Sequence, residues 1–358
     1  MIIIIIKLNK SILERKYLLN KIKRFLNGCL KINSDKIFNN SFKNPGISVI
    51  IPVYNCENTI EFAINSIRNQ IFKNYEIVLI NDFSKDQSKK IIQKLKNNDS
   101  RIILINNNKN MGILYSRNIG VLVSKGKYIF PLDNDDAFLD DKIFIRIYKE
   151  AEKYNFDVIG FKCIYGNIFN SEKNDIFDDP FIIKKKNMII YQPALSSLSF
   201  INNDCHLWGK SIKNEIYKKA INKLGKKRSS IFLCYAEDDI MIFLIFKLSK
   251  TFKFSEIYGL YHKISNKSAS NTLPKDHILF SKILFLDVLF DFTENSIKDK
   301  EFVIKNAIIY KNFFFSKFHL NEKNKDYLIS VINKILKSRF ISKKNKIKLK
   351  NNFNFIYF

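Results

Sequence analysis

From residue 47 onward, short β-branched runs alternate with amphipathic stretches. ISVIIPVYN is followed by ENTIEFAINSIRNQ, YEIVLIND by KDQSKKIIQKLKNN, and RIILINNN by GILYSRNIGVLVS, before KYIFPLD closes the series. The runs are apolar throughout rather than at every second residue, which predicts strands covered on both faces. The stretches between them carry apolar residues three and four apart, which predicts helices of about 10–15 residues. This alternation predicts an α/β fold, Rossmann-like, with a mostly parallel sheet and helices on both faces. Ligands of such sheets bind beyond the carboxyl ends of the strands. The polar residues gather at those ends: Tyr54 and Asn55 after the first strand, Asp82 after the second, Asn110 after the third and Asp133 after the fourth.

The rhythm differs at both ends. Residues 1–44 hold ten Lys or Arg against Glu14 and Asp35, interleaved with Ile, Leu, Tyr and Phe at loosely helical spacing, and Asn44-Pro45-Gly46 breaks that pattern. Beyond residue 140 the alternation weakens into a strand over FDVIGFKCIYGN, a charged loop around 170–187, the segment HLWGKSIKNEIYKKA and an acid-capped helix in CYAEDDIMIFLIFKLSK. Residues 275–358 read as helical, Phe-rich and basic, with fifteen Lys or Arg against four acids after residue 297. The predicted organisation is a basic N-terminal extension (1–44), an α/β domain (45–274, with halves 45–136 and 137–274) and a basic helical C-terminal region (275–358).

The 358 residues are enough to bury a sizeable core. The formal charge of +27 points to anionic partners, although the Asn, Ile, Lys and Phe excess of an AT-rich coding sequence inflates Lys without selecting any. Five cysteines (Cys29, Cys56, Cys163, Cys205, Cys234) stand far apart with no CxxC pair, which argues against a disulfide framework or zinc knuckle and fits a reducing cytoplasm. The opening MIIIIIKLNK is shorter than the roughly 20 apolar residues that span a bilayer. It also lacks a basic leader and a small-residue cleavage site, so no secretory signal is expected.

The densest chemistry lies in YIFPLDNDDAF, where an apolar run ends in Asp133, Asp135 and Asp136. Mg²⁺ and Mn²⁺ prefer oxygen ligands and take one or two carboxylates plus phosphate oxygens. A diphosphate leaving group calls for such a cation, because charge builds on it as its bond breaks. Taken with PVYN, ND, NMGILYSRNIG and a downstream ED in that order, the chain over about 47–270 resembles the inverting family 2 glycosyltransferases of GT-A fold, similar to members that build bacterial surface polysaccharide.

The resemblance implies roles by position. Pro52, Val53, Tyr54 and Asn55 match the segment bordering the nucleotide base, with Glu57 close behind, and Asp82 matches the acid that hydrogen-bonds the base. The frequent D-D-[GS]-S reads Asn81, Asp82, Phe83, Ser84 here, which leaves the base identity open; a helix cap is the other reading of Asp82. Asn110, Gly112, Arg117 and Asn118 match the N-x-G-x-x-x-x-R-N stretch, with Arg117 facing the nucleotide or its diphosphate. Asp135 matches the direct ligand of Mn²⁺ or Mg²⁺ and Asp133 lies closer to the ribose; Asp136 is either a supporting carboxylate or a helix cap. Asp238 matches the catalytic base and Glu237 its acceptor-contacting neighbour, with Asp239 leaving the register open by one residue. Trp208 in HLWGK is either a sugar-stacking acceptor residue or core. His262, in YHKISNKSAS, completes the metal shell, binds phosphate or is structural.

These matches imply a nucleoside-diphosphate sugar donor, commonly UDP-linked, and a glycan or lipid-linked acceptor hydroxyl. The basic ends suggest peripheral contact with an anionic membrane from the cytoplasmic side. Nucleic acid is not an expected partner, because the cations are mostly dispersed Lys and the rim is acidic. A transferase-like module that binds without catalysing is the competing reading; Phe83 favours it and the intact Asp133, Asp135, Glu237 and Asp238 oppose it.

Overall fold

The computed structural model describes residues 42–166, 176–178, 189–191, 206–233, 237–264, 275–292, 303–304, 322–337 and 343–353, together with 24–25 and 28–29. Most of the basic N-terminal extension, much of the 170–187 loop, Cys205, Cys234 and the late loop 265–270 lie outside these residues. The loosely helical spacing read over 1–44 therefore falls largely outside them too.

The alternation read from sequence is the alternation of the fold. The strands β1 (Ile47–Val53), β2 (Tyr75–Asn81), β3 (Ile102–Asn106) and β4 (Tyr128–Pro131) are separated by the helices α1 (Ile60–Arg68), α2 (Ser88–Asn97) and α3 (Ile113–Val123). β1 pairs in parallel with both β2 and β4, and β2 with β3. All seven residues of β1 and all seven of β2 are buried. Their side chains divide between two cores: Ile50, Val78 and Ile80 face one, while Val49, Ile51, Val53, Ile77 and Leu79 face the other. A period of two with apolar residues on both faces is what a doubly covered sheet requires. Gly120 lets α3 lie close to that sheet, since a Cβ there would fall 2.5 Å from Ile80 Cδ1 and 2.7 Å from Ile50 Cγ2.

The second half extends the sheet in a way the sequence pattern did not predict. After β5 (Ala137–Phe138) and α4 (Ile143–Tyr154), the chain forms β6 (Val158–Gly166), β7 (Ile176–Asp178), β8 (Ile189–Tyr191), β9 (Lys210–Lys213) and, beyond α5 (Asn214–Leu224), α6 (Lys226–Ser229) and α7 (Glu237–Leu248), the long β10 (Thr251–Lys263). Among the described residues the strand order is β3-β2-β1-β4-β9-β6-β10-β5, with β7 on β6 and β8 on β10. Strand β9 runs antiparallel to both β4 and β6, and β6 is parallel to β10, so β6 and β10 point the same way as β1 to β4. KSIK within HLWGKSIKNEIYKKA is too short and too polar to read as a strand. Its edges are nonetheless buried because it sits between two neighbours.

The C-terminal helices α8 (Lys275–Phe292), α9 (Glu322–Lys337) and α10 (Lys343–Phe353) share the core of the α/β domain. Leu284, Val288 and Leu289 of α8, Val331 and Ile335 of α9 and Leu349 of α10 join the cluster that holds Ile50, Ile80 and Phe243. Each such buried aliphatic side chain contributes about 1.5–3 kcal/mol relative to exposure. At the other end, Cys29 is buried against α1, where Asn65 Nδ2 donates to its carbonyl at 3.0 Å. No helix among the described residues is long and apolar enough to cross a membrane.

Candidate active site

The strand order reverses at β1: the chain moves outward to β2 and β3, then returns to place β4 on the opposite side of β1. Crevices at such reversals are where open α/β sheets bind ligands. The loops after β1 and β2 are stitched into one plate there. Cys56 N donates to Ser88 Oγ at 2.8 Å, Glu57 N to Asp86 Oδ2 at 3.1 Å, Lys85 N to Asn55 Oδ1 at 2.8 Å and Gln87 N to Glu57 Oε2 at 2.8 Å. Glu57 thus holds the rim together. Asn134 Nδ2 donates to the Pro52 carbonyl at 3.1 Å and ties the acidic loop to β1, and Val53 O accepts from Asp82 N at 2.8 Å. Tyr54 and Asn55 lie exposed on the plate.

Asp82 is tied into the rim by its carboxylate. Its buried carboxylate accepts from Asn107 Nδ2, Met111 N and Gly112 N, each at 2.8 Å, and so shapes the turn into α3. At the head of α2 it is Asp86 whose Oδ1 accepts from Ser88 N, at 3.0 Å. Asn110 supports the same turn as Asp82 by accepting from Gly112 N at 3.0 Å. Gly112 sits at φ +86°, and a Cβ there would lie 2.4 Å from Leu233 O and 2.8 Å from Leu233 N. Gly112→Ala is therefore expected to destabilise the protein by about 1–3 kcal/mol or more in urea denaturation. A loss under about 0.5 kcal/mol would show that the turn does not need this close approach.

Arg117, expected to face the nucleotide, is buried instead between two carboxylates. Its Nη2 donates to Asp133 Oδ1 at 2.9 Å and to Glu237 Oε1 at 3.1 Å, joining the ends of β4 and α7. Desolvation lowers the guanidinium pKa, but Asp133, Glu237 and Asp238 outweigh it and keep the cation fixed. Arg117 Nε and Nη1, both amide atoms of Asn118, the Tyr217 hydroxyl and Asp238 Oδ1 are buried without a partner among the described residues. Tyr217 carries no recognisable motif in NEIYKK. Its place beneath the site follows from α5 packing against α7, and the nearness of Arg117, Asp238 and Glu237 acts on its hydroxyl.

At the start of α7 the three acids separate. Glu237 is buried on Arg117, and Asp239 pairs with Lys282 of α8 at 2.6 Å. Asp238 is half-buried: its Oδ2 accepts from Leu207 N at 3.2 Å while Oδ1 is left unpaired. Desolvation and then repulsion from Glu237 push its carboxyl well above the ordinary carboxylate range, against the pull of Arg117. Of the three, Asp238 has a buried oxygen without a partner among the described residues.

The acidic loop after β4 divides its labour as well. Asp133 is held by Arg117. Asp136 is fully buried, with Oδ2 2.9 Å from His262 Nδ1 and Oδ1 accepting from Lys263 N at 3.1 Å. That contact follows from register, since Ala137 pairs with Tyr261 across the β5–β10 ladder. Asp136 is therefore a support for His262 and not a helix cap. Asp135 takes no hydrogen bond from the described residues; desolvation, then Asp136 and Asp133, raise its pKa to about 7. Desolvation pulls His262 down, but Asp136 outweighs it and lifts the ring to about 9.

Trp208 differs from the stacking platform considered above. His206 stacks on it at 4.3 Å and His262 at 5.0 Å, while Tyr165 meets it edge-on at 5.9 Å. The residue is 7% exposed, with these three rings packed against it. The residue braces His262 instead.

Among the described residues no three His, Cys, Asp or Glu side chains form a closed metal cage. The donor set suits a hard cation that keeps water and phosphate ligands, because Asp135 is an uncommitted carboxylate beside two others.

A ten-stranded sheet whose reversal point carries this acidic rim is the GT-A class of α/β fold. The chain carries a glycosyl transferase family 2 domain, with residues 48–218 matching that family's model. It is 42% identical over 111 residues to an Escherichia coli protein described as UDP-Glc:alpha-D-GlcNAc-diphosphoundecaprenol beta-1,3-glucosyltransferase WfaP, covering 31% of this chain and 43% of that one. It is 32% identical over 133 residues to a Campylobacter jejuni GalNAc(5)-diNAcBac-PP-undecaprenol beta-1,3-glucosyltransferase, covering 37% and 41% of the two chains. The matched stretches thus span less than half the length of these curated relatives. In structure it is similar to S. aureus TarS 1-349 in complex with UDP-GlcNAc, with a TM-score of 0.62 at 15% identity over 86% of this chain and 87% of that one.

Proposed function

We propose that this chain is a metal-dependent inverting glycosyltransferase that moves a sugar from a nucleoside-diphosphate sugar to a hydroxyl of a glycan or lipid-linked acceptor in cell-surface polysaccharide synthesis. The observation that carries the reading is the chain of contacts Asp133–Arg117–Glu237, which ties the acidic loop after β4 to the head of α7, where Asp238 Oδ1 is unpaired among the described residues. Kinship to enzymes named for UDP-glucose and undecaprenyl-diphosphate substrates supports a UDP-linked donor and a lipid-linked acceptor.

In this reading Asp238 takes the acceptor proton through Oδ1 as the acceptor oxygen forms its bond to the anomeric carbon. The bond from that carbon to the diphosphate breaks, and its electron pair leaves with the diphosphate on the opposite face, inverting the centre. Glu237 and Arg117 fix the start of α7, and Leu207 N orients Asp238. Asp135 and the second oxygen of Asp133 would hold Mn²⁺ or Mg²⁺, which when bound offsets charge on the leaving diphosphate. His262, with Nδ1 against Asp136, has its Nε2 left to meet phosphate or the metal. The nucleotide belongs to the half 45–136 and the acceptor to the half 137–274. The basic regions flanking 45–274 suit an anionic membrane surface on the cytoplasmic side.

The test is thermal stabilisation by UDP, GDP, CMP and dTDP sugars with and without Mn²⁺. A ligand at about 100 times its Kd stabilises the folded state by about 2.7 kcal/mol. A metal-dependent shift with one nucleotide sugar is expected in the wild type and should vanish in Asp135→Ala. If no nucleotide shifts the wild type under any metal, the transferase reading fails.

A further inference from the structure

Phe83 is held in a conformation that a bulky residue rarely adopts. It lies at φ +65°, in the left-handed region, directly after β2 on the rim of the site. Its ring is not tucked away, since the residue is 39% exposed. The strained turn is over-determined by its surroundings: Ser84 N donates to Asn81 Oδ1 at 3.1 Å, Asn55 N to Ser84 Oγ at 3.2 Å and Lys85 N to Asn55 Oδ1 at 2.8 Å. Asn55, the partner in two of these bonds, is itself at φ +47°. The ammonium of Lys85 then sits 3.6 Å from the centre of the Phe83 ring and covers one face of it. Packing thus fixes an aromatic ring at the surface and leaves the cation on one side only. Backbone strain maintained in this way clusters at ligand sites.

Where the ring lies decides what it can touch. A nucleoside-diphosphate sugar is a linear molecule with the sugar at one end and the base at the other. If the sugar is at Asp238 and the diphosphate at Asp135, the base lies on the far side of β4, over the ends of β1 and β2. The large exposed side chains there are Tyr54 and Phe83. Asp82, the polar group closest in sequence, is 4% exposed and already accepts three hydrogen bonds from the turn into α3. Tyr54 and Phe83 are therefore the aromatic surface that a base at this end meets.

We propose that Phe83 is a donor-binding residue of this chain, whose strained turn presents its uncovered face for stacking on the nucleobase of the donor. The proposal rests on the nucleotide-sugar reading above. Stacking of a base on an aromatic side chain tolerates different bases, because every base has a π-face.

The test is titration calorimetry with Mn²⁺ on the full chain, using UDP and, as a probe without a base, ribose 5-diphosphate. Three variants are compared with the wild type. Phe83→Asn removes the ring at a position where Asn tolerates the left-handed backbone, Phe83→Gly removes both ring and strain, and Phe83→Tyr keeps a ring. Binding of UDP should weaken about 10- to 100-fold in Phe83→Asn and Phe83→Gly and hold in Phe83→Tyr, while ribose 5-diphosphate binds all four proteins alike. The melting temperature of Phe83→Gly should stay level or rise, which separates loss of binding from loss of fold. Equal UDP affinity in the wild type and the two ring-less variants overturns the stacking role and leaves the nucleotide reading intact. Equal loss for both probes also overturns it, since the ring would then shape the loop and not touch the base. A wild type that binds neither probe overturns the nucleotide reading itself.

Discussion

Asp238→Asn should lower kcat by about 10²–10⁴-fold while nucleotide affinity, read by calorimetry, changes little. The substitution keeps the shape of the side chain and the acceptor for Leu207 N, but removes the lone pair of Oδ1 that takes the proton. The same variant should be more stable than the wild type at pH 8. Desolvation, then Glu237, raise the Asp238 pKa in the folded state above its unfolded value of about 4. The stability associated with this carboxyl is therefore fully present below about pH 4 and is lost as pH rises through the folded pKa. Asparagine has no charge to desolvate, so its melting temperature should exceed that of the wild type at pH 8 and converge with it in acid. Activity of the wild type should rise with pH over the same window, because the base works only when ionised. Asp239→Asn is the control: its carboxylate faces Lys282, so it should leave kcat within a few-fold. If Asp239→Asn abolished turnover and Asp238→Asn did not, the assignment of the base would be reversed.

Arg117→Met should destabilise the protein by about 3–5 kcal/mol, the usual consequence of removing one partner from a buried ion pair. Arg117 is 2% exposed and Glu237 5%, so the carboxylate left behind has little access to water. Desolvation, then Asp133, already raise the Glu237 pKa in the native protein, and Arg117 opposes them. Without Arg117 that folded pKa climbs further, so the deficit should be largest at pH 8 and shrink toward pH 5 as Glu237 takes up a proton. Urea denaturation at the two pH values measures this. A deficit below about 1 kcal/mol at both would show that the Asp133–Arg117–Glu237 chain is a surface-like pair of small worth. Activity should fall as well, since the same cation sets α7 and therefore Asp238.

Much of the site was legible as residue types at fixed places relative to predicted strands. Asp133 and Asp135 after KYIFPLD, and Glu237 with Asp238 at the head of a helix, are brought to one rim, and the link between them is Arg117 from the N-x-G-x-x-x-x-R-N stretch. What those residues do to one another was not legible. That Asp82 organises the turn before α3 could not be read from its place after β2. Trp208 offered a stacking face in sequence, and in space two histidines separated along the chain stack on it. Tyr217 had no motif, and only the packing of α5 on α7 sets it beneath Asp238.

By itself the sequence determined the strand-helix alternation, the doubly covered β1 and β2, and the position of the polar residues at the carboxyl ends. These depend on the periodicity of apolar residues and on turn chemistry, both properties of neighbours along the chain. The tertiary structure alone decided that β9 runs antiparallel between β4 and β6, that α8 to α10 complete the central core, and which carboxylates are paired. Those outcomes depend on contacts between residues far apart in sequence. Asp135, Asp136, Asp238 and Asp239 are the same residue type, and only the burial and the partner that each one meets in space separate them into a carboxylate without a hydrogen bond, a histidine support, one with a single unpaired oxygen and a helix tether.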